Sequence, residues 1–346
     1  MKNFLITGGL GYIGTHTVVA LLKNNFNVFI VDSLENSSLK SLDALHKIFN
    51  NELNDEKLRF FNGDIRDAKF LDSVFKKAKI LNQTIDGVIH FAGLKSIKES
   101  FEKPNLYWEV NVKGTEKLIQ VMQDNDCFFL IFSSSATVYG NIKDHLLNEK
   151  DKCNPINIYG SSKLIAEGII EKKYLQNPNK WKIIILRYFN PIGAHNSLLI
   201  GDNYFSSNKN LFPILCEVAA KKREKVYIYG NDWETEDGSA IRDYIHVMDI
   251  AEGHLLAINY LYKNKSIILK INLGSGKGYS VLEMINLFQK IIGKTIPYSF
   301  LDKREGEVDI SLADIKLSKK LLNWYPKRDI KCMFNSGWGW YRKKNF

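Results

Sequence analysis

Cysteine is scarce in this chain, which has four among 346 residues, at positions 127, 153, 216 and 332. The four lie far apart, with no CxxC pair and no histidine at metal-ligand spacing. A disulfide framework and a zinc motif built on paired cysteines are therefore excluded. We expect a protein with reduced cysteines and no bound metal.

Long hydrophobic runs are also missing. The longest, residues 127–132, is far shorter than the roughly 18 residues that a membrane-spanning helix needs. The apolar residues 4–6 follow Met1 almost directly, without the basic segment, long apolar core and cleavage site of a secretion signal. Since 45% of the residues are hydrophobic and 25% are charged, we expect a folded cytoplasmic protein without a membrane partner.

Acidic residues are outnumbered, since 38 Asp and Glu stand against 48 Lys and Arg, for a formal net charge of +10. The basic residues are spread along the chain and form only short clusters such as residues 221–223. This spread is typical of a lysine-rich solvated surface, so we expect no nucleic-acid partner. The positive potential would nonetheless attract a substrate that carries a diphosphate.

What the sequence does have is an alternation of short apolar runs with amphipathic segments. The amphipathic segments 12–23 and 115–123 have the period of helices. Strands and helices in alternation predict an α/β fold with a doubly wound parallel sheet of the Rossmann type. The runs that predict buried strands are residues 4–7, 28–32, 58–62, 88–92, 128–133 and 183–187.

Several prolines and glycines interrupt the alternation after residue 190. We therefore predict a Rossmann domain over residues 1–190 and a smaller α/β domain, mainly for substrate, over residues 191–346. The division is not a single cut, because residues 271–274 have the pattern of a buried strand. Segments from about 240 to 280 are predicted to return to the first sheet.

Three glycines, Gly8, Gly11 and Gly14, open the first predicted helix directly after the first strand, in a GxxGxxG pattern. Such a turn brings the backbone close to a pyrophosphate, and the N–H groups and dipole of the helix N-terminus favour the anion. A glycine pattern alone is often a simple turn. With Tyr12 and Ile13 between the glycines, this segment is a candidate dinucleotide-binding loop.

Asp32 ends the second predicted strand, about 20 residues after the glycines, where a carboxylate accepts hydrogen bonds from the adenosine ribose. It would also repel a 2′-phosphate, and the neighbouring Ser33 and Leu34 supply no cation to offset that repulsion. NAD is therefore predicted as the cofactor, in preference to NADP. An aspartate at a strand end is by itself equally typical of a turn, so the prediction depends on the glycines.

Tyr159 and Lys163 are four residues apart, which places both side chains on one face of a helix. An ammonium group beside a phenol favours the phenolate, and a cationic nicotinamide would add to this effect. The pair therefore predicts a lowered pKa for Tyr159 and a general base that takes a proton from a hydroxyl group. Such pairs are most often surface residues, but the glycine loop and Asp32 favour the catalytic interpretation.

Three serines, Ser133, Ser134 and Ser135, follow a predicted buried strand. Ligands bind outside the carboxyl ends of the strands in a parallel sheet, so Ser135 is a candidate for orienting a substrate oxygen. For Ser133 and Ser134, hydrogen bonds to the backbone of the turn are an equally good explanation.

These features resemble the extended short-chain dehydrogenase/reductases, and further segments narrow the resemblance to the UDP-galactose 4-epimerases. The similarity runs in order from residue 4 to about residue 340 and includes segments outside the shared cofactor loop. Those segments are residues 90–95 (HFAGLK), 187–191 (RYFNP), 237–238 (DG), 241–249 (IRDYIHVMD) and 304–306 (REG).

The resemblance implies an NAD-dependent isomerase in which Tyr159 is the base, Lys163 tunes it and holds the nicotinamide ribose, and Ser135 bonds the reacting oxygen. The first domain would bind NAD and the second mainly the UDP-sugar. Besides the glycine loop, Asp32 and the catalytic pair, the residues implied for NAD are Asp64, Ile65, Phe91, Ala92, Gly93, Lys95, Asn111 and Tyr188. Besides Ser135 and Tyr159, those implied for the substrate are Asn190, Asn210, Tyr229, Arg242, Arg304, Glu307 and Ser311.

Two positions depart from the family. Glu307 stands where the family usually has Asp, at a contact to the uridine ribose, and Ser311 stands where glucose-specific members have a bulky Tyr. A small residue there widens the sugar pocket and extends the expected substrates to acetamido sugars. The implied reaction removes the 4-hydroxyl proton and the C4 hydride, leaves a 4-ketose that turns over, and returns the hydride to its opposite face.

The family also forms homodimers through paired helices, and an apolar face of Leu164, Ile165 and Ile169 is compatible with such pairing or with core packing. Three alternative functions remain open. A sugar-nucleotide 4,6-dehydratase usually has an acidic residue beside the serines, where this chain has Ala136 and Thr137. A pentose or acetamido-sugar 4-epimerase would look much the same, and a non-catalytic NAD-sensing protein would not need the tyrosine and lysine.

Overall fold

The computed structural model describes residues 1–142, 145–202 and 210–345. In chain order the strands are β1 (Asn3–Thr7), β2 (Asn27–Asp32), β3 (Leu58–Asn62), β4 (Gly87–His90), β5 (Phe129–Ser135), β6 (Lys182–Tyr188), β7 (Asn190–Ile192), β8 (Val226–Tyr229), β9 (Ile241–His246), β10 (Ile267–Leu273), β11 (Gly278–Ser280), β12 (Tyr298–Leu301) and β13 (Ile310–Ser311).

The helices are α1 (Tyr12–Lys23), α2 (Leu39–Ile48), α3 (Ala68–Ile80), α4 (Ile97–Glu102), α5 (Pro104–Tyr107), α6 (Gly114–Asp124), α7 (Ile158–Gln176), α8 (Leu211–Ala219), α9 (Val247–Lys263), α10 (Val281–Ile292), α11 (Lys316–Leu322) and α12 (Ile330–Asn345). A π-helical segment, Trp108–Lys113, leads into α6, and a 3-10 turn, Ala136–Val138, follows β5. In the described ranges, no helix combines the length and the apolar character required to cross a bilayer.

Seven strands form the main sheet in the spatial order β10, β6, β5, β4, β1, β2, β3, and all of its pairings are parallel. The prediction of a doubly wound parallel sheet is confirmed. Chain order reverses between β1 and β4, and in such sheets ligands bind in the crevice at this reversal. The glycine turn and the loop after β4 both begin there.

Two layers of helices explain why the strands are continuous apolar runs. All residues of β1, β2 and β4 are buried, because α1, α2 and α9 cover one face of the sheet and α3, α6 and α7 cover the other. Val18 and Ile258 belong to the first of these cores, and Leu118 and Ile170 belong to the second.

Some strand ends differ from the prediction. β4 ends at His90 instead of residue 92, because the N–H groups of Phe91 and Ala92 both turn to the carbonyl oxygen of Thr7. β5 continues to Ser135, two residues past the prediction, since it stays paired with β6 along its whole length. The predicted strand at 271–274 is part of β10, which lies at the edge of the main sheet beside β6.

A second, smaller α/β region contains the remaining strands. β9 is at its centre and pairs with β7, β11 and β13, while β8 and β12 form a separate parallel pair. Helices α8, α10 and α12 enclose a core in which the rings of Phe212, Phe288 and Phe334 lie within 5.3 to 5.6 Å of one another. The chain leaves the main sheet at Tyr188 and enters the second sheet at Asn190, so the two sheets meet there.

Candidate active site

The glycine turn between β1 and α1 packs backbone so closely against backbone that side chains at two of its glycines would clash. Gly8 has a positive φ of 70°, and a Cβ atom at this position would lie 2.6 Å from the backbone nitrogen of Ala92. A Cβ atom at Gly14 would lie 2.3 Å from the carbonyl oxygen of Gly8. Because α1 begins after Gly11 without a side-chain cap, its first N–H groups are left for an anion. The turn fits the pyrophosphate of a dinucleotide.

Asp32 is buried at the end of β2, and the backbone around the cleft engages both of its carboxylate oxygens. One oxygen accepts hydrogen bonds from Leu34 N–H at 3.0 Å and the Ser37 hydroxyl at 2.7 Å, and the other accepts from Leu10 N–H at 3.0 Å. Among the described residues, no lysine or arginine lines the adjoining cleft. A ribose with free hydroxyl groups suits this lining better than one with a 2′-phosphate.

Asp64 and Ile65, the residues implied for the adenine, also line this cleft. The carboxylate of Asp64 accepts hydrogen bonds from the guanidinium group of Arg66, with Nη2 2.5 Å from Oδ2. This pairing holds the pKa of the Asp64 carboxyl group below its usual value. Asp64 therefore contributes to the lining as one half of an ion pair, beside the buried Ile65.

The loop after β4 forms another part of the lining, through residues 91–93. Asn111, in the π-helical segment, fixes this loop: its Oδ1 accepts from Leu94 N–H at 2.8 Å and its Nδ2 donates to the Leu94 carbonyl at 3.0 Å. The same Nδ2 donates to the hydroxyl group of Ser162 at 2.9 Å. The hydrogen bonds of Asn111 therefore join the cofactor loop to α7.

Two other residues implied for NAD contact the segment that follows β7. The hydroxyl group of Tyr12 donates to the carbonyl oxygen of Gly193 at 2.7 Å. Lys95 has a mostly exposed side chain, and its Nζ lies 3.9 Å from a carboxylate oxygen of Asp202. Both contacts connect the first region of the chain with the second beside the cleft.

Tyr188 is buried at the end of β6, with its hydroxyl oxygen 2.7 Å from Nε2 of His254. Nδ1 of His254 lies 2.9 Å from the carbonyl oxygen of Ile250 and must donate to it, so Nε2 is the acceptor and Tyr188 the donor. Burial lowers the pKa of His254 to about 4, which keeps the ring neutral near pH 7. Tyr188 is therefore held in a fixed position between the two regions.

The structure brings together the three residues that the sequence predicts as catalytic. Tyr159 and Lys163 lie one turn apart at the start of α7. Lys163 is buried, and its Nζ donates to the carbonyl oxygen of Ser133 at 2.9 Å and lies 5.0 Å from the centre of the Phe132 ring. Ser135, the last residue of β5, lies close enough to the phenol of Tyr159 to act as a donor that lowers its pKa. All three lie at the carboxyl end of β5.

Thr137 orients the hydroxyl group of Ser135. The oxygen of Ser135 accepts hydrogen bonds from Thr137 N–H at 3.2 Å and from the Thr137 hydroxyl at 3.0 Å. Because these two bonds engage its lone pairs, Ser135 acts as a donor toward Tyr159. This role of Thr137 was not predicted from the sequence, although the i, i+2 spacing of two hydroxyl residues is typical of such a contact.

Burial raises the pKa of Tyr159, and the hydrogen bond from Ser135 lowers it by a smaller amount. The predicted lowering of this pKa is therefore wrong for the protein's own groups. A phenolate at this position would lose its hydration, while the ammonium group of Lys163 points at a backbone carbonyl. Burial also lowers the pKa of Lys163 to about 8.

Asn157 is a further residue that the sequence analysis missed. Its Oδ1 caps α7 by accepting from Gly160 N–H at 2.7 Å, and its Nδ2 donates to the carbonyl oxygen of Gly306 at 3.0 Å. An asparagine just before a helix is a recognisable cap signal, but its second bond spans 149 residues of sequence. Asn157 therefore ties the start of the catalytic helix to the loop that contains Arg304 and Glu307.

The residues implied for uridine diphosphate form one cluster. Arg242 on β9 is half-buried and donates to the carbonyl oxygen of Val308 at 2.7 Å. The guanidinium carbon of Arg304 lies 3.4 Å from the centre of the Tyr229 ring. Glu307 lies between the two arginines, with carboxylate oxygens 3.5 Å from Arg242 and 3.4 Å from Arg304. The cluster holds two forked cations next to an aromatic face.

The other three residues implied for the substrate differ in position. Ser311 on β13 pairs in register with Arg242, and Asn190 on β7 pairs in register with Tyr244 of the same central strand. Asn210 is exposed at the N-terminal cap of α8 and makes no side-chain cap hydrogen bond. The strand pairing places Ser311 beside Arg242 and Asn190 two residues further along β9, whereas no described contact links Asn210 to the arginine cluster.

This protein belongs to the class of extended short-chain dehydrogenase/reductases. The class is indicated by the doubly wound sheet, the glycine turn, the buried carboxylate of Asp32 and the pair of Tyr159 and Lys163. The profile of the family described as GDP-mannose 4,6 dehydratase matches residues 5–336. The UDP-glucose 4-epimerase of Yersinia enterocolitica is 45% identical over 98% of this chain and 97% of its own length. The bifunctional UDP-glucose 4-epimerase and UDP-xylose 4-epimerase 1 of Pisum sativum is 41% identical, over 98% and 95%.

Solved structures agree with these relatives. The UDP-glucose 4-epimerase from Bifidobacterium longum, in complex with NAD+ and UDP, has a TM-score of 0.92 and 38% identity over 99% of both chains. The UDP-Glc/GlcNAc 4-epimerase from Campylobacter jejuni has a TM-score of 0.82 and 32% identity over 99% of this chain and 100% of that one. The chain belongs to the UDP-glucose 4-epimerase family.

Proposed function

We propose that this protein is an NAD-dependent 4-epimerase that interconverts UDP-galactose and UDP-glucose through a transient 4-keto sugar. The observation that carries the proposal is the group of Tyr159, Ser135 and Lys163 at the carboxyl end of β5, beside the dinucleotide cleft. Membership of the family supports it, since the relative from Yersinia enterocolitica is a UDP-glucose 4-epimerase.

The cofactor of this proposal is NAD, which the Bifidobacterium longum structure contains. The backbone from Gly8 to Gly14 would hold its pyrophosphate, Asp32 would accept from the adenosine ribose, and Lys163 would bond the nicotinamide ribose. When bound, NAD supplies an acceptor for the C4 hydride and returns the hydride to the opposite face of the ketose.

Tyr159 would take the proton of the sugar 4-hydroxyl group and return it after the sugar has turned over. Because burial raises the pKa of Tyr159, its phenol needs further positive charge to ionise near physiological pH. Lys163 and the cationic nicotinamide would supply that charge together. Ser135, which Thr137 holds as a donor, would hydrogen-bond the reacting oxygen through proton removal and return.

The arginine cluster would bind the uridine diphosphate. The guanidinium groups of Arg242 and Arg304 match phosphate oxygens, and Tyr229 offers a ring face for the uracil. The carboxylate of Glu307, which lies 3.5 Å from Arg242 and 3.4 Å from Arg304, would bind the uridine ribose beside the diphosphate. The arginine cluster would not bind the hexose, which would therefore be free to rotate next to Ser311.

Replacement of the phenol tests the proposal. Tyr159→Phe is expected to lower kcat for UDP-galactose by about 10²- to 10⁴-fold, because the acid/base is lost, while bound NAD is retained. The measurement is conversion of UDP-galactose to UDP-glucose without added NAD, with NAD quantified after denaturation. The matched control is Tyr325→Phe, a 52% exposed tyrosine outside the site, which should keep wild-type kcat. A near wild-type kcat in Tyr159→Phe would contradict the assignment.

The same assay separates the alternatives. A 4,6-dehydratase would release a 4-keto-6-deoxy sugar, which requires an acid/base beside the serines, and Thr137 stands there without a carboxylate. A non-catalytic NAD-sensing protein would contain NAD and turn over no UDP-sugar. Epimerisation of acetamido sugars is favoured as a second activity by Ser311, and the similar Campylobacter jejuni protein is a UDP-Glc/GlcNAc 4-epimerase.

The proposal extends to the cellular setting, which is a cytoplasmic homodimer in galactose metabolism. Of the three residues predicted for the dimer interface, Ile165 is 40% exposed, while Leu164 and Ile169 pack against internal cores. Trp108 is exposed as well, to 43%, in the π-helical segment that packs beside α7. Sedimentation equilibrium should give twice the monomer mass, and Ile165→Glu should shift the protein to monomer.

A further inference from the structure

Glu167 is a buried carboxylate for which the proposed reaction has no role. It lies on α7, four residues after Lys163 and eight after Tyr159, so the three side chains share one helical face. Its exposure is 0%, and charged side chains are almost never fully buried unless they are paired. The partners of Glu167 therefore indicate what the position requires.

Arg187 is the first partner. Its Nε and Nη2 donate to the two carboxylate oxygens of Glu167 at 3.0 and 2.7 Å, and the guanidinium group lies 4.7 Å from the centre of the Tyr139 ring. A buried ion pair by itself is weak evidence of function, because such pairs are often replaceable by apolar residues. The other contact of the carboxylate is therefore more informative than the ion pair.

Ser134 is that further contact. The hydroxyl group of Ser134 donates to Glu167 at 2.5 Å. Its two neighbours are Ser133, whose carbonyl oxygen accepts from Lys163, and Ser135, which lies beside Tyr159. One carboxylate thus anchors the end of β5 at the residue between two catalytic contacts. A shift of this strand end would move both contacts together.

Charge gives Glu167 a second effect. Burial lowers the pKa of Lys163 to about 8, and the negative charge of Glu167 acts against that lowering. Several charged and titratable groups surround this part of the site. They are His90 on β4, Arg187 and Tyr188 on β6, Tyr159 and Glu167 on α7, and Tyr139, Glu149 and Cys153 beside Arg187. His90 remains neutral, because burial and the charge of Lys163 lower its pKa to about 3.

We propose that Glu167 is a positioning residue for the epimerisation, which holds the end of β5 through Ser134 and keeps Lys163 in its ammonium form. This inference rests on the proposed epimerase function. Neutral Lys163 would neither stabilise the phenolate nor bond the ribose as a cation. Loss of the charge of Glu167 should therefore shift the alkaline loss of activity to a lower pH than in the wild type.

The test is the pH dependence of kcat for UDP-galactose between pH 6 and 10, measured on NAD-loaded protein. In Glu167→Gln, which keeps the shape but not the charge, the alkaline loss of activity should begin about one pH unit lower than in wild type. Glu167→Asp should keep the wild-type pH profile because it keeps the charge. Ser134→Ala should lower kcat about tenfold at every pH without moving the profile, since only the anchor is lost.

Folding is monitored by circular dichroism and bound NAD. If Glu167→Gln does not fold, Glu167→Gln combined with Arg187→Met removes both buried charges and should restore folding, with the alkaline loss still shifted. An unshifted profile in the folded variant overturns the inference and leaves Glu167 as a structural ion pair. Absence of epimerase activity in the wild type overturns the proposed function instead.

Discussion

The size of one side chain decides which sugars fit the proposed pocket. Ser311 is half-buried and lies opposite Arg242 in the pairing of β13 with β9. In the proposed complex, a serine at this position would leave room for an acetamido group beside the sugar ring, whereas an aromatic ring would occupy that room.

Ser311→Tyr is expected to lower kcat/KM for UDP-N-acetylgalactosamine at least about tenfold and to change kcat/KM for UDP-galactose by less than about threefold, because steric exclusion acts only on the larger sugar. Ile310→Tyr is the matched control, since Ile310 precedes it on β13 and is exposed. Equal losses for both sugars in Ser311→Tyr would mean that the residue does not select between them.

At the residue scale, the sequence predicted that Tyr159, Lys163 and Ser135 lie together, but it did not predict the direction of the Tyr159 pKa shift. Tyr159 and Lys163 follow from a local spacing on a helix, and such spacings can be read without the fold. The direction of the Tyr159 pKa shift could not be predicted, since it depends on burial by distant segments. Glu167 was missed for the same reason, because its partners Ser134 and Arg187 lie on two different strands.

At the scale of elements, the cap residue of α7 also contacts the loop that contains Arg304 and Glu307. Asn157 caps the helix with its carbonyl oxygen and reaches Gly306 with its amide nitrogen. Asp67 caps α3 in the same way, accepting from Phe70 N–H at 3.0 Å, without a described contact to the substrate segment. Asp67 therefore serves as a control for Asn157, because Asp67 only caps its helix whereas Asn157 also contacts the loop at Gly306.

Asn157→Asp keeps the acceptor for the helix cap but removes the donor to Gly306. We expect the KM for UDP-galactose to rise about five- to tenfold through loss of one hydrogen bond, while the free energy of unfolding changes by less than about 1 kcal/mol. Asp67→Ala should show the reverse, a stability loss of about 1 kcal/mol with unchanged KM. Steady-state kinetics measures the KM, and urea unfolding measures the free energy of unfolding. An unchanged KM in Asn157→Asp would show that Asn157 does not position the substrate loop.

Elements themselves were largely predictable. The strands of the main sheet are short apolar runs because both faces are covered, and that pattern is visible in the sequence alone. The ends of the strands were less predictable. β4 ends at His90 because the N–H groups of Phe91 and Ala92 turn to the carbonyl oxygen of Thr7, which lies on another strand. The pairing of β10 with β6 could not be assigned either, since parallel pairing between distant segments leaves no local pattern.

Across the whole molecule, buried histidines make the free energy of unfolding depend on pH in the acidic range. Burial lowers the pKa values of His16, His90 and His246 to about 3 and that of His254 to about 4. The unfolded chain therefore binds protons below about pH 6.5 that the folded protein excludes. Asp243 acts in the opposite direction, since burial raises its pKa to about 6 and its effect favours the folded protein as pH falls from 6 to 4.

The free energy of unfolding should thus fall as pH decreases from 6.5 to 5, by up to about 1.4 kcal/mol per pH unit for each buried histidine. Urea unfolding at several pH values measures the slope. His16→Asn should reduce the slope by up to about 1.4 kcal/mol per pH unit, the contribution of one buried histidine. A slope that does not respond to His16→Asn would show that the folded protein protonates this ring.

The edge position of β10 has a consequence for how the molecule is made. β6 is complete at Tyr188, but its partner on that side ends at Leu273, about 85 residues later in the chain. At translation rates of about 5 to 20 residues per second, the ribosome needs roughly 4 to 17 seconds to supply that partner. During this interval the emerging β6 presents a full row of unpaired backbone groups, so nascent chains on one messenger RNA are most prone to associate then.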